Sequence, residues 1–214
     1  MEGSTPGWVR GCRLLDALIV AVAILAQAWQ SLARDDLPAA RFFGYFTIQS
    51  SVFAAGVLAW GAMRPGDPHQ TARQTARRDL VRGAAVLYLV ITGLVYGVLL
   101  AGRPAAQHAA IPWVNMVLHQ LLPLVVVADW LIDPPTPALT LRRALAWLVY
   151  PLAYVAVILV RGNAGGWYPY PFLDPARAGG PIGVAATCLG IAVATLALTW
   201  LIVAVGRHVR LVVT

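Results

Sequence analysis

Apolar residues in this chain run in six long blocks instead of alternating or gathering in short clusters. The blocks are Leu14–Leu32, Phe42–Met63, Val81–Ala101, Trp113–Ile132, Ala144–Val160 and Ile182–Val205. Each is near the ~20 residues a helix needs to cross ~30 Å of hydrocarbon. Continuous apolar runs argue against a transmembrane barrel, whose strands alternate. The links between blocks are short and leave no room for a separate soluble domain. The expected architecture is all-α, a six-transmembrane-helix bundle forming a single integral membrane domain over residues 1–214.

Composition agrees and adds an orientation. Of the 214 residues 59% are hydrophobic and 12% charged, against about 25% charged in an ordinary soluble domain. Soluble enzymes, disordered chains and secreted disulfide scaffolds are excluded. All 16 basic residues are Arg, against 9 acidic residues, a net charge of +7. Arg10, Arg13, Arg64, Arg73, Arg77, Arg78, Arg82, Arg142, Arg143, Arg207 and Arg210 fall on the side that carries both termini. Arg34, Arg41, Arg103, Arg161 and Arg177 fall on the other. The positive-inside rule then predicts that both termini are cytoplasmic. An Ala- and Arg-rich chain without Lys reads as bacterial, a multi-pass protein of the inner (plasma) membrane. The basic excess implies contact with anionic head groups at the cytoplasmic Arg-rich loop, not with nucleic acid. That loop holds a tandem repeat, Gln70–Arg77, which reads as helix with Arg73 and Arg77 on one face. Ala26-Gln27-Ala28 resembles a signal-peptide cleavage site, but the apolar pattern runs past Trp29 and Asp16 interrupts it, so an uncleaved span is expected. Cys12 and Cys188 read as free thiols.

Polar side chains at membrane depth are costly unless paired or lining a cavity. In the second block Thr47, Ser50 and Ser51 share a helical face, just after the aromatic run containing Tyr45 and flanking Gln49. In the fourth block Asn115 and His119 share a face, with Trp113 at its start. Pro123 frees the carbonyl of His119 and predicts a kink. Asn115 is a candidate to orient the imidazole or to donate to an oxyanion. Counted from the outer ends of their blocks, Thr47 lies ~7.5 Å and His119 ~9 Å deep at 1.5 Å per residue. A hydroxyl and an imidazole at one level are a candidate nucleophile–base pair, with no obvious carboxylate to complete a triad. Packing and helix-to-helix hydrogen bonding are the competing reading for both faces.

The last outer connection carries Arg161, Tyr168-Pro169-Tyr170-Pro171 and Asp174. Its prolines make it extended and stiff. It reads either as a lid over an outer-leaflet cavity, anchored by Arg161 or Asp174, or as an ordinary interfacial loop. Tyr45, Gln49, Ser50, Ser51 and Trp113 are candidates to line that cavity or its lid, and Tyr88, Thr92 and Tyr96 are further candidates to line a cavity. Asp16 and Asp129 read as packing anchors that pair with Arg13, Arg142 or Arg143.

Four segments carry a resemblance: Phe43–Ser50, Asn115 with His119, Asp129-Trp130-Leu131 and Tyr168–Asp174. Together they resemble the bacterial Pr-six-Pr membrane proteins, distant relatives of the androgen-induced proteins of animals. The animal members are multi-span hydrolases of fatty-acid esters of hydroxy fatty acids that use an intramembrane Thr and a His. The resemblance therefore implies Thr47 as nucleophile, His119 as base, a lipid ester as substrate and no cofactor or metal. The alternative function is a non-enzymatic membrane protein: a small-solute or lipid carrier, or an assembly partner. A b-type haem protein is a weaker third, since His119 is the one His well inside a block and axial ligation would need another.

Overall fold

The computed structural model describes residues 6–33, 38–63, 71–102, 111–136 and 139–213, and the regular structure among them is helix alone. Six long helices follow the apolar blocks: α1 Gly7–Ala33, α2 Phe46–Met63, α3 Arg73–Leu100, α4 Pro112–Ile132, α5 Leu141–Gly165 and α6 Gly180–Val213. Five of them, α2 to α6, are long and apolar enough to cross a membrane. The chain is a multi-pass membrane protein. α1 is as long, and carries Arg10, Arg13 and Asp16 in its first half. Arg34, Arg64, Gln70 and Arg103 lie outside the described residues.

α3 starts eight residues ahead of its apolar block because the repeat has its own helix start. Thr71 and Gln74 form a reciprocal cap, Thr71 N–H donating to Gln74 Oε1 at 2.8 Å and Gln74 N–H to Thr71 Oγ1 at 3.4 Å. Such a box satisfies two of the four orphan amides of a helix N-terminus. Arg73 and Arg77 are exposed along that extension.

Burial is inverted relative to a soluble bundle. On α1 the buried positions are Val9, Arg13, Val20, Ala23 and Gln27, at helical spacing, whereas Leu18, Leu25 and Trp29 face outward. Ile182 and Trp200 of α6 and Val149 and Val160 of α5 face outward as well. Water does not tolerate such surface at this scale, but lipid does, and in lipid it is the polar groups that need partners inside the chain. α3 is the central helix: every residue from Ala84 to Leu89 is buried, against α2, α4 and α6. The indole N–H of Trp147 donates to Leu80 O at 2.8 Å, and Tyr88 Oη–H returns a bond to Trp147 O at 3.0 Å. These two bonds tie the start of α5 to α3.

One end of the bundle is locked by ions. Arg13 of α1 reaches Asp129 at 2.5 Å and Asp133 at 2.8 Å. Arg82 of α3 lies 3.0 Å from Asp129 and 3.4 Å from Asp133, and Arg78 lies 2.8 Å from Asp133. Asp79 accepts from the N–H and hydroxyl of Thr136 at 2.7 and 2.6 Å. Burial alone would raise the Asp133 carboxyl, but Arg82, Arg13 and Arg78 hold it below the usual carboxylate range. Asp129 thus takes Arg13, as expected, and Arg82, which was not expected. Arg142 and Arg143 are exposed and are not its partners, because their helical turn directs them outward. Asp16 enters none of these pairs.

Removing one member of a buried charge network leaves the others uncompensated, at a cost of about 3–5 kcal/mol. Arg82→Ala is therefore expected to lower the melting temperature of the detergent-purified protein sharply, whereas Arg73→Ala leaves it unchanged. Equal melting temperatures would show that the ion network does not hold the helices.

Candidate functional site

At the opposite end of the bundle, α2 begins at Phe46, so Thr47 sits in its first turn. Amides there have no acceptor within their own helix. The Thr47 N–H instead donates to the phenol oxygen of Tyr170 at 3.3 Å, and that oxygen is also 3.5 Å from Thr47 Oγ1. On its other side Thr47 Oγ1 lies 3.3 Å from Nε2 of His119. Nδ1 of the same ring lies 3.1 Å from the backbone carbonyl of Asn115. A carbonyl only accepts, so Nδ1 carries the proton and Nε2 presents a lone pair to the Thr47 hydroxyl. The ring of Tyr96 stacks on the imidazole at 4.2 Å, and the Asn115 amide donates to the Tyr96 hydroxyl. Asn115 therefore orients His119 twice, through its carbonyl and through Tyr96. Its side-chain amide gives one of its two N–H groups to Tyr96.

Local backbone geometry makes this approach possible. Pro123 has no N–H for the carbonyl of His119, and α4 widens there into a π turn over Val117–Leu121. α3 carries a second π turn, Tyr96–Leu100. Such turns are frequent at functional sites because they redirect side chains within an otherwise regular helix. α3 approaches α4 through Gly93, where a Cβ would stand 2.9 Å from His119 O and 3.3 Å from Pro123 Cγ.

Thr47 and His119 open on a partly enclosed cavity of about 90 Å³. Its walls are mostly apolar, from Ile91, Val95 and Leu100 of α3, Val155 of α5, Ile191 of α6, and Phe172 and Leu173 of the last connection. Among the described residues no group of His, Cys, Asp or Glu is arranged to hold a metal ion.

The other sequence candidates divide. Tyr170 reaches the site from the last connection, and Tyr45 packs edge-on against it at 5.6 Å. Tyr168 lies instead on α5, over Gly162, where a Cβ would meet its ring at 2.1 Å. Ser50 donates to Thr47 O at 3.2 Å and lies 3.3 Å from Thr92 Oγ1. Ser51 is fully buried with its hydroxyl unpaired. Neither serine hydrogen-bonds to His119. Gln49 donates to Phe43 O at 2.6 Å and accepts from the Tyr150 hydroxyl. Trp113 and Arg161 face outward. Asp174 folds back on its own turn, accepting from Ala176 N–H at 2.9 Å with Arg177 at 3.4 Å. The connection is thus a wall of the cavity held by aromatic packing, with neither Arg161 nor Asp174 as its anchor. Tyr154, whose hydroxyl donates to Gly44 O at 2.8 Å, is a lining residue that the sequence reading missed. A Tyr in mid-block was the available signal.

The model of one protein family, described as FAR-17a/AIG1-like protein, matches residues 87–202, more than half of the chain. The chain belongs to the FAR-17a/AIG1-like family. The matched stretch contains His119, Asn115, Tyr96 and the last connection, while Thr47 lies ahead of it. No curated protein and no solved structure matches this FAR-17a/AIG1-like chain.

Adding a methyl at the α3–α4 contact would force the two helices apart just where His119 is held. Overpacking of this kind costs about 1–3 kcal/mol. Gly93→Ala is expected to destabilise the protein by that order in detergent melts. Gly97→Ala, where nothing lies within 4 Å, is expected to have no such effect. Equal effects would mean that the close approach at Gly93 is not a constraint.

Proposed function

We propose that this protein is an intramembrane lipid-ester hydrolase, of the type that cleaves fatty-acid esters of hydroxy fatty acids, with Thr47 as nucleophile and His119 as general base. One observation carries the reading: Thr47 Oγ1 lies 3.3 Å from a His119 Nε2 whose lone pair is directed at it by the Nδ1–H bond to the Asn115 carbonyl. A weak hydroxyl nucleophile needs such a base within hydrogen-bond reach, and the base needs an orienting acceptor behind it. Here that acceptor is a neutral carbonyl. It sets the tautomer but offers the imidazolium less charge stabilisation than a carboxylate would. The apolar cavity supports a lipid substrate, and membership of the FAR-17a/AIG1-like family agrees with the resemblance of the landmark segments.

The steps follow from the geometry. His119 Nε2 takes the Thr47 proton as Oγ1 attacks the ester carbonyl. The positive end of α2, at whose first turn Thr47 stands, favours the negative charge that forms there. Collapse breaks the ester C–O bond, and the leaving alcohol takes the proton from Nε2–H. Water, deprotonated by His119, then releases the acid and restores Thr47. No cofactor enters.

The reading includes a topology. α1 would join α2 to α6 as a sixth span, both termini would be cytoplasmic, and the site would face the outer leaflet of a bacterial plasma membrane. The exposed Arg73 and Arg77 would then meet anionic head groups.

Thr47→Ala and His119→Ala are each expected to cut hydrolysis of a long-chain ester by about a thousandfold or more. Both should abolish labelling of native membranes by a fluorophosphonate, at wild-type expression levels. Unchanged turnover in Thr47→Ala would sink the assignment. For the topology, with Cys12 and Cys188 replaced by Ser, an impermeant maleimide applied to intact cells should label Ala176→Cys and spare Arg73→Cys. The reverse pattern would invert the protein in the membrane.

A further inference from the structure

Beside the Thr47–His119 pair stands a second buried hydroxyl that the scheme above does not use. We propose that Tyr170 is a further catalytic residue of this site, its phenol O–H donating to the oxyanion that forms when Thr47 attacks. The inference rests on Thr47 being a nucleophile and adds the group that receives the developing charge.

The bonding directions around Thr47 leave the phenol hydrogen where it is needed. The Tyr170 oxygen accepts the Thr47 N–H at 3.3 Å, so its own hydrogen points to another acceptor. Thr47 Oγ1, at 3.5 Å, is within its reach and free to accept, because its own hydrogen goes to His119 Nε2 at 3.3 Å. The resting donations therefore run from Tyr170 O–H to Thr47 Oγ1–H to His119 Nε2. On attack the Oγ1–carbon bond forms, the Oγ1 proton passes to Nε2, and the carbonyl π pair moves onto the carbonyl oxygen. That oxygen is bonded to the same carbon as Oγ1 and arises beside it. The phenol O–H then exchanges a weakened acceptor, the newly esterified Oγ1, for a full negative charge. On collapse the oxygen pair re-forms the carbonyl and the alcohol departs with the proton from Nε2. Tyr170 keeps its proton throughout and acts only as a donor.

The phenol is preorganised for this. Its ring stacks on Phe172 at 5.1 Å, nearly parallel, and packs edge-on against Tyr45. The turn is closed by Leu173 N–H donating to Tyr170 O at 3.0 Å, and Pro169 and Pro171 flank it. The titratable groups around it are Tyr45, Tyr154 and, across Thr47, His119. Burial pushes the Tyr170 hydroxyl up from its usual range, which keeps it a neutral donor. A donor fixed in apolar surroundings does not have to reorganise during reaction, the condition under which oxyanion donors are worth most.

The test uses the full chain in lipid nanodiscs with a long-chain ester, reading kcat and KM separately for wild type, Thr47→Ala and Tyr170→Phe. Tyr170→Phe keeps the ring contacts and removes only the hydroxyl. The expected result is a loss of about 10²–10³-fold in kcat with KM held within about threefold. A second arm replaces Tyr170 by a ring-fluorinated tyrosine, which keeps the shape but has a more acidic phenol. Its activity should fail on the alkaline side at lower pH than wild type, a shift that a purely structural role would not produce. A Tyr170→Phe kcat within about threefold of wild type, a raised KM with kcat intact, or an unmoved alkaline limb overturns the role of Tyr170. Turnover retained in Thr47→Ala, or no turnover in wild type, instead defeats the hydrolase reading itself.

Discussion

A polar group taken out of water must find a partner within the chain or bear several kcal/mol of desolvation. α4 meets that constraint twice along its length. Near its start His119 has a carbonyl on one ring nitrogen and a hydroxyl on the other. Near its end Asp129, with Asp133 just beyond, takes the guanidinium groups of Arg13 and Arg82. The two clusters lie about 15 Å apart along the helix, at 1.5 Å per residue from His119 to Asp129. Everything else in the bundle is arranged so that these two sets of partners are reached together.

The ion cluster and the hydroxyl–imidazole pair do different work. Charges shared among α1, α3 and α4 fix rotation and depth, since a turned helix would strand an Arg or an Asp without its partner. With α3 and α4 so registered, Gly93 meets the His119 carbonyl that Pro123 leaves free, and Tyr96 comes to lie over the imidazole. α2 joins the same frame through its far end, where Arg10 of α1 donates to Ala62 O at 2.9 Å. Its near end then delivers Thr47. The site is therefore held on helices, and one wall alone, carrying Tyr170, Phe172 and Leu173, comes from a connection.

That wall explains how an irregular segment can be buried among helices. Backbone outside a helix is tolerated at membrane depth only where protein buries it or where it lines a cavity. Tyr168 docks on Gly162 of α5, and Tyr170 spends its phenol on the first turn of α2. The connection is sealed at both points, and the cavity behind it is lined mostly by aliphatic and aromatic side chains.

The helices, and the levels at which polar residues occur along them, were legible in the chain itself. Apolar block length sets where a helix can cross, and counting residues from block ends put Thr47 and His119 at matching depth. Partner choice was not legible. Asp129 had Arg13, Arg142 and Arg143 as equal candidates, and it takes Arg13 with Arg82 because helix rotation turns the other two outward. Tyr168 and Tyr170 stand in near-identical sequence, yet one packs on α5 and the other faces Thr47. Asn115 shares a helical face with His119, but its contact with Tyr96 on α3 could not be read from the chain. Periodicity reports which residues share a face of one helix. It carries no information about which helix that face meets or at what rotation, and those long-range contacts are what only the tertiary structure supplies.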